Sequence, residues 1–200
     1  MTTDMNANDL FSSDAAFDKL YSLRAQQLSS MHWTPLDVAL KAATHLAATP
    51  GQRILDIGSG VGKFCIAAAH YFPDSYFYGV EQRKALVDEA VFAQNATNTV
   101  NAKFFYANFN ELDMDQFDHF YFYNSFSENI VHHKPIDNLI PTSAQIYEEY
   151  LAQFYQLLED KPVGTRLAAY HCPDNYIPPS YKTVHYSPGQ TLSLWVKASS

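Results

Sequence analysis

Apolar residues Phe17, Leu20, Tyr21 and Leu28 recur at roughly helical spacing behind a serine able to cap, which predicts a helix over 13–30. Thr34-Pro35-Leu36-Asp37 then sets a capping threonine, a proline at the first helical position and an acid at N3. An alanine-rich helix should follow to about Ala48, stopped by Pro50-Gly51. Beyond Gln52 strands and helices alternate: a strand ending at Ile57, a helix over 63–70, a strand over 75–80 that runs into Glu81, a helix over 83–96, and strands over 102–107 and 118–123. Continuous apolar runs of this kind suit strands buried on both faces of a parallel sheet, here with Phe and Tyr where Val and Ile are commoner. The clearest helix is 142–158, with Ile146, Tyr147, Tyr150, Leu151, Phe154, Tyr155 and Leu158 on one stripe, Thr142 as cap and Gln145 at N3. Strands over 166–171, 182–186 and 192–198 close the chain, the last two joined by a hairpin turn over 187–190. The pattern reads as an α/β domain over 51–200 behind an N-terminal helical extension over 1–50.

Composition narrows the class. A chain of 200 residues fits one α/β unit, which buries roughly 70% of its extended-chain surface. Its two cysteines, Cys65 in a core helix and Cys172 past a late strand, do not make a disulfide framework. The first residues show neither a basic nor an apolar leader segment, and no stretch approaches 18 apolar residues, so a cytoplasmic location away from membranes is expected. Net charge is −8, with no basic run. Phosphate neutralisation needs clustered Lys and Arg, so nucleic acid is disfavoured as a partner. The pattern carries no signature of oligomeric state.

The chemistry concentrates in residues 54–62, Ile-Leu-Asp-Ile-Gly-Ser-Gly-Val-Gly. A strand end, a tight glycine turn and a helix N-terminus let backbone approach a nucleotide-like ligand closely. The dinucleotide fingerprint spaces its glycines G-x-G-x-x-G, whereas Gly58 and Gly60 are followed by Gly62 and Lys63 takes the place of the third glycine. That argues against NAD or FAD. Lys63 also lacks the following Ser or Thr of a phosphate-binding P-loop.

What the segment resembles is motif I of the class I S-adenosyl-L-methionine-dependent methyltransferases, D-x-G-x-G-x-G, filled by Asp56, Gly58, Gly60 and Gly62 with Ser59 inside the turn. The resemblance covers about 52–200. It implies a Rossmann-like methyltransferase fold, a seven-stranded, mostly parallel sheet with a C-terminal antiparallel hairpin, and S-adenosyl-L-methionine as cofactor. In that family an acid at the second strand end accepts hydrogen bonds from both ribose hydroxyls, the place of Glu81, with Gln82 beside it. An Asp or Asn after the third strand bonds the adenine amino group with an apolar neighbour against the ring, a role that Asn108 and Phe109 fit. Related chains enter the core across the cofactor cleft, which adds Trp33 and Thr34.

After the fourth strand comes Asn124-Ser125-Phe126-Ser127-Glu128, the segment that family members turn toward the methyl group. Ser125 and Phe126 replace both prolines of the N-P-P-Y or D-P-P-Y pattern of amino-directed nucleic-acid methyltransferases, a further argument against base methylation. A narrower likeness, to the histone lysine methyltransferases first known as disruptors of telomeric silencing, rests on the glycine turn with Lys63, on Tyr78-Gly-Val-Glu81 and on the Asn-Phe and Asn-Ser-Phe segments. Those enzymes use basic regions to hold nucleosomal DNA, which this chain lacks, so the likeness speaks for a shared core. Candidate proton acceptors are Glu128, His132, His133, Tyr170 and His171. Asn124 and His171 stand as the catalytic pair, and no metal is expected, because His132-His133 with scattered acids has no ligand spacing. The expected function is methyl transfer to a small-molecule or protein side-chain substrate; the alternative is a non-catalytic cofactor-binding regulatory or scaffold protein.

Overall fold

A computed structural model describes residues 7–27, 29–126, 140 and 142–199. The described residues open with the helices α1 (Ala7–Leu10), α2 (Asp14–Phe17), α3 (Leu23–Gln26), α4 (Ser29–His32) and α5 (Leu36–Leu46). The α/β part follows as β1 (Arg53–Ile57), α6 (Lys63–Tyr71), β2 (Tyr76–Glu81), α7 (Lys84–Thr97), β3 (Ala102–Tyr106), β4 (His119–Phe122), α8 (Ala144–Asp160), β5 (Arg166–Tyr170), β6 (Tyr181–Tyr186) and β7 (Leu192–Lys197). The strands form one sheet in the order β3-β2-β1-β4-β5-β7-β6. The first five pair in parallel, and β7 runs antiparallel between β5 and β6. The expected mostly parallel sheet closed by an antiparallel hairpin is therefore present. Order reverses between β1 and β4, so the crevice for a ligand lies at the carboxyl ends of these strands.

Alternation along the strands divides the core between the two faces. Ile54, Phe77, Tyr121, Ala168 and Tyr170 face the layer of α5 and α6, where Ala39, Ala42, Ala43, Phe64 and Ala67 to Ala69 fill the space. Leu55, Ile57, Val80, Phe120, Phe122 and Leu167 face α8 through Phe154 and Leu158. The N-terminal extension packs into the first of these cores by Leu10, Phe11, Phe17, Tyr21 and Trp33.

The single helix expected over 13–30 is broken. Ser13 caps α2 by accepting from Ala16 N–H (3.2 Å), and Ser22 caps α3 by accepting from Ala25 N–H (3.3 Å). Two serine caps restart the helix within one stretch, and Tyr21, extended at φ −100° and ψ 158°, breaks it between them. Thr34 is not the cap of α5. Pro35 holds that place in extended conformation, and the amino end is met from a distance by Asp14, whose Oδ1 accepts from Leu36 N–H at 3.0 Å. In α8 the cap is Ser143 rather than Thr142, its hydroxyl accepting from Ile146 N–H at 3.1 Å.

At the amino ends of β1, β4 and β5, Asp118 binds the Arg53 guanidinium through both oxygens (2.7 and 3.0 Å) while His119 Nδ1 accepts from Arg166 N–H (3.1 Å). Burial, with Arg166 and His45 adding to it, lowers the His119 pKa to about 4. The folded protein thus binds fewer protons here than the unfolded chain, so this contribution is intact above the ordinary histidine value and is lost as pH falls from about 6.5 to about 4. Allowing for the ring's partial exposure, the loss should be on the order of 2 kcal/mol. His119→Asn should flatten the melting temperature against pH over this window; an unchanged slope would remove His119 as the cause.

Candidate functional site

The three glycines of the turn have positive φ, +76° at Gly58, +54° at Gly60 and +76° at Gly62, a region closed to most side chains. Their surroundings differ. A Cβ on Gly58 would collide with the Ser125 side chain, and one on Gly62 would collide with the Phe104 ring and meet Ala90 Cβ at 2.9 Å. One on Gly60 would meet nothing within 4 Å. Gly58 and Gly62 are therefore packing glycines, and Gly60 turns its open side to where a ligand can approach. Gly58 and Ser59 N–H both donate to Val80 O (2.9 Å each), tying the turn to β2. The Ser59 hydroxyl points back into the protein, buried and with no hydrogen-bond partner, close enough to β2 that a Cβ on Gly79 would strike it. The Ser59 side chain is thus packed against β2 rather than offered to the open side of the turn.

Glu81 closes β2 with only 6% of its surface exposed. Its Oε2 accepts from Gly60 N–H (3.2 Å) and its Oε1 from Arg83 N–H (2.8 Å), with the buried Arg83 guanidinium 3.8 Å away. The carboxylate is oriented beside the open glycine, as recognition of a ribose diol requires. Gln82 is half-buried at the bend behind it. Asp56 lies beneath the turn, 3% exposed. Burial raises its pKa well above the usual carboxylate range and the Glu81 charge adds to this, against a hydrogen bond from Cys65 Sγ (3.8 Å).

Past β3, Asn108 starts a 3-10 turn: its side chain accepts from the Glu111 N–H, Glu111 reciprocates on the Asn108 N–H (3.0 Å), and its Nδ2 donates to Tyr150. Phe109 is buried against Phe126 (5.2 Å) and Tyr150 (5.6 Å). Both expected adenine residues lie at the right strand end, but their side chains are already engaged by the protein. Past β4, Ser125 Oγ donates to Ile57 O (2.6 Å) and Phe126 enters the α8 core, so both residues that stand in place of the prolines are held by the protein. Asn124 (φ +36°) and His171 (φ +50°) stand at the ends of neighbouring strands β4 and β5 in left-handed backbone. Tyr123 packs edge-on against Tyr170 (4.6 Å) and beside His171 (5.8 Å). Glu128, His132 and His133 lie outside the described residues.

Trp33 and Thr34 sit next to the site but are occupied by the protein. Trp33 is buried edge-on against Tyr21 (4.7 Å), and Thr34 Oγ1 shares a 2.8 Å hydrogen bond with Tyr121 OH. The sequence reading missed Arg83 and Lys63. Arg83 gave no signal beyond its place two residues after Glu81. Lys63 gave one: a cation at the first position of an apolar helix, where the helix dipole opposes it, with Asp14 and Asp18 spaced four apart upstream. Among the described residues no group of three or more His, Cys, Asp or Glu side chains is placed to hold a metal, and no helix is long and apolar enough to cross a membrane.

The methyltransferase-domain family matches residues 48–172. No curated protein shows significant similarity to the chain. Among solved structures it is similar to an RNA methyltransferase from Salinibacter ruber in complex with S-adenosyl-L-homocysteine, with 21% identity, 81% of this chain and 89% of that one covered, and a TM-score of 0.54. It is also similar to TrmN from Thermus thermophilus (18% identity, 86% and 51% covered, TM-score 0.56). A third likeness is to SMU.1697c from Streptococcus mutans, in complex with S-adenosyl-L-homocysteine (12%, 78% and 94%, 0.51). At these identities the neighbours speak for the fold, while the family match spans the glycine turn, Glu81 and both strand ends with left-handed residues. With a turn open at Gly60 and an oriented acid beside it, this chain belongs to the class I methyltransferase-domain family and is an S-adenosyl-L-methionine-dependent methyltransferase.

Proposed function

We propose that the enzyme methylates a small molecule or a protein side chain presented at the carboxyl ends of β4 and β5. The observation that carries this is the pair Asn124 and His171. Among the described residues only three outside glycine have positive φ, and the third, Asn98, is an ordinary helix C-cap. Left-handed backbone at two adjacent strand ends lies over the crevice of the α/β sheet, where such sheets keep functional residues.

S-adenosyl-L-methionine supplies a methyl group already activated on a sulfonium, so the protein contributes alignment and, for a protonated acceptor, a base. Glu81 and the backbone at Gly60 hold the nucleoside end. Asn124 aligns the acceptor by hydrogen bonds, and Tyr123 and Tyr170 give it an aromatic wall. His171 is exposed at that wall and takes the acceptor's proton. The expectation against nucleic acid rests on the net charge, the absence of a basic run and the replacement of both prolines by Ser125 and Phe126, and it gains no support from the fold, which is similar to that of an RNA methyltransferase. RNA is therefore tested alongside metabolites and proteins.

Purified protein with labelled cofactor and fractionated extract should move label into the metabolite or protein fraction; label in RNA alone would overturn the acceptor assignment. His171→Asn, which tolerates positive φ, should lower kcat by about tenfold to a hundredfold with cofactor affinity unchanged. Unchanged kcat would take His171 out of the chemistry.

A further inference from the structure

Lys63 begins α6 directly behind Gly62, with its side chain 4% exposed. The positive end of a helix dipole is a poor place for a buried ammonium. It is held there from outside the helix. Asp14 Oδ1 and Asp18 Oδ1, both from the N-terminal extension, each lie 2.6 Å from Nζ. The rings of Phe17 and Trp33 have their centroids 5.6 and 5.7 Å away, within the reach of a cation over an aromatic face. The same Asp14 oxygen accepts from Leu36 N–H, so one carboxylate joins the amino ends of α5 and α6. Trp33 and Thr34 lie between these two anchors, and Thr34 is fixed in turn to Tyr121 on β4.

We propose that Lys63 is a positioning residue for the cofactor: through Asp14 and Asp18 it fixes the chain at Trp33–Thr34 against the glycine turn, forming the wall on which the methionine end of S-adenosyl-L-methionine rests. Two carboxylates against one ammonium leave a net negative charge beside Gly62. This suits S-adenosyl-L-methionine, whose methionine end carries an ammonium and a sulfonium against one carboxylate and so keeps a net positive charge. Only the ammonium of this trio is buried, with Asp18 at 18% and Asp14 at 48% exposed; removing Asp18 leaves a buried cation with one half-exposed carboxylate, and removing Lys63 unties both aspartates, so the wall shifts even where the apolar anchors Phe17 and Tyr21 keep the extension attached. The inference rests on residues 56–62 being the cofactor turn.

The test uses the full chain and S-adenosyl-L-homocysteine. Lys63→Met and Asp18→Asn should each weaken binding by calorimetry about tenfold or more, and Lys63→Arg, which keeps the charge, should stay within about threefold of wild type. Trypsin gives a readout that needs no variant. Lys19 and Arg24 are exposed on the extension, and saturating ligand should slow cleavage after them about fivefold or more, since it binds only the ordered form. Binding without protection, or folded Lys63→Met and Asp18→Asn proteins with wild-type affinity, would overturn the positioning role alone. Should Lys63→Met fail to fold, Asp18→Asn and the wild-type trypsin measurement decide. A wild-type protein that does not bind the ligand overturns the cofactor assignment and this inference with it.

Discussion

Gly60→Val is expected to abolish binding of S-adenosyl-L-methionine and S-adenosyl-L-homocysteine in a protein that still folds. A Cβ there meets nothing within 4 Å, so the side chain projects into the open side of the turn. The backbone at φ +54° makes a β-branched residue strained, at about 1–3 kcal/mol, which a domain of this size absorbs. Gly62→Ala should behave in the opposite way. Its methyl group would drive into the Phe104 ring and Ala90 where α6 crosses the sheet. Overpacking and a positive φ together should cost about 2–5 kcal/mol and lower the melting temperature before any ligand is added. Calorimetry and thermal melting on the two variants separate the roles. Wild-type affinity in Gly60→Val would show that the cofactor does not approach the turn.

Features that depend on neighbours in sequence were legible without coordinates. The glycine turn, the acid at the end of β2, the parallel strands and the closing hairpin each lie within a few residues of the pattern that signals them. Features fixed by distant partners were not. Thr34 has every local mark of a cap, and its hydroxyl instead meets Tyr121, 87 positions away. Lys63 looked like a failed phosphate-binding lysine because its aspartate partners, Asp18 and Asp14, lie in the N-terminal extension, the nearer of them 45 positions earlier. The helix expected over 13–30 has the right period, but Phe17, Tyr21 and Ala25 are placed by the surface of α6 and its neighbours, and burial against a preformed face outweighs propensity in a short segment. Asn108 shows a further limit. Its position follows from sequence, whereas the engagement of its amide by Tyr150 and Glu111 does not.

Glu81→Gln is expected to weaken cofactor binding at least tenfold, and Glu81→Ala to weaken it further while also destabilising the fold. Gln keeps the volume and one acceptor oxygen but replaces the other with a donor, so it opposes one of the two N–H groups that now converge on the carboxylate, from Gly60 and Arg83. The lost charge removes the stronger hydrogen bonds to the ribose, about 1.5–3 kcal/mol against about 1 kcal/mol for neutral ones. Ala removes both acceptors. It strands two backbone donors at about 1–3 kcal/mol each and leaves the buried Arg83 guanidinium without the carboxylate beside it. The two variants should therefore separate by stability as well as by affinity, with Gln melting below wild type and Ala lower still. Calorimetry with S-adenosyl-L-homocysteine and thermal melting give both quantities on the same preparations. A Gln variant that binds as tightly as wild type would show that Glu81 orients the turn and Arg83 without touching the cofactor.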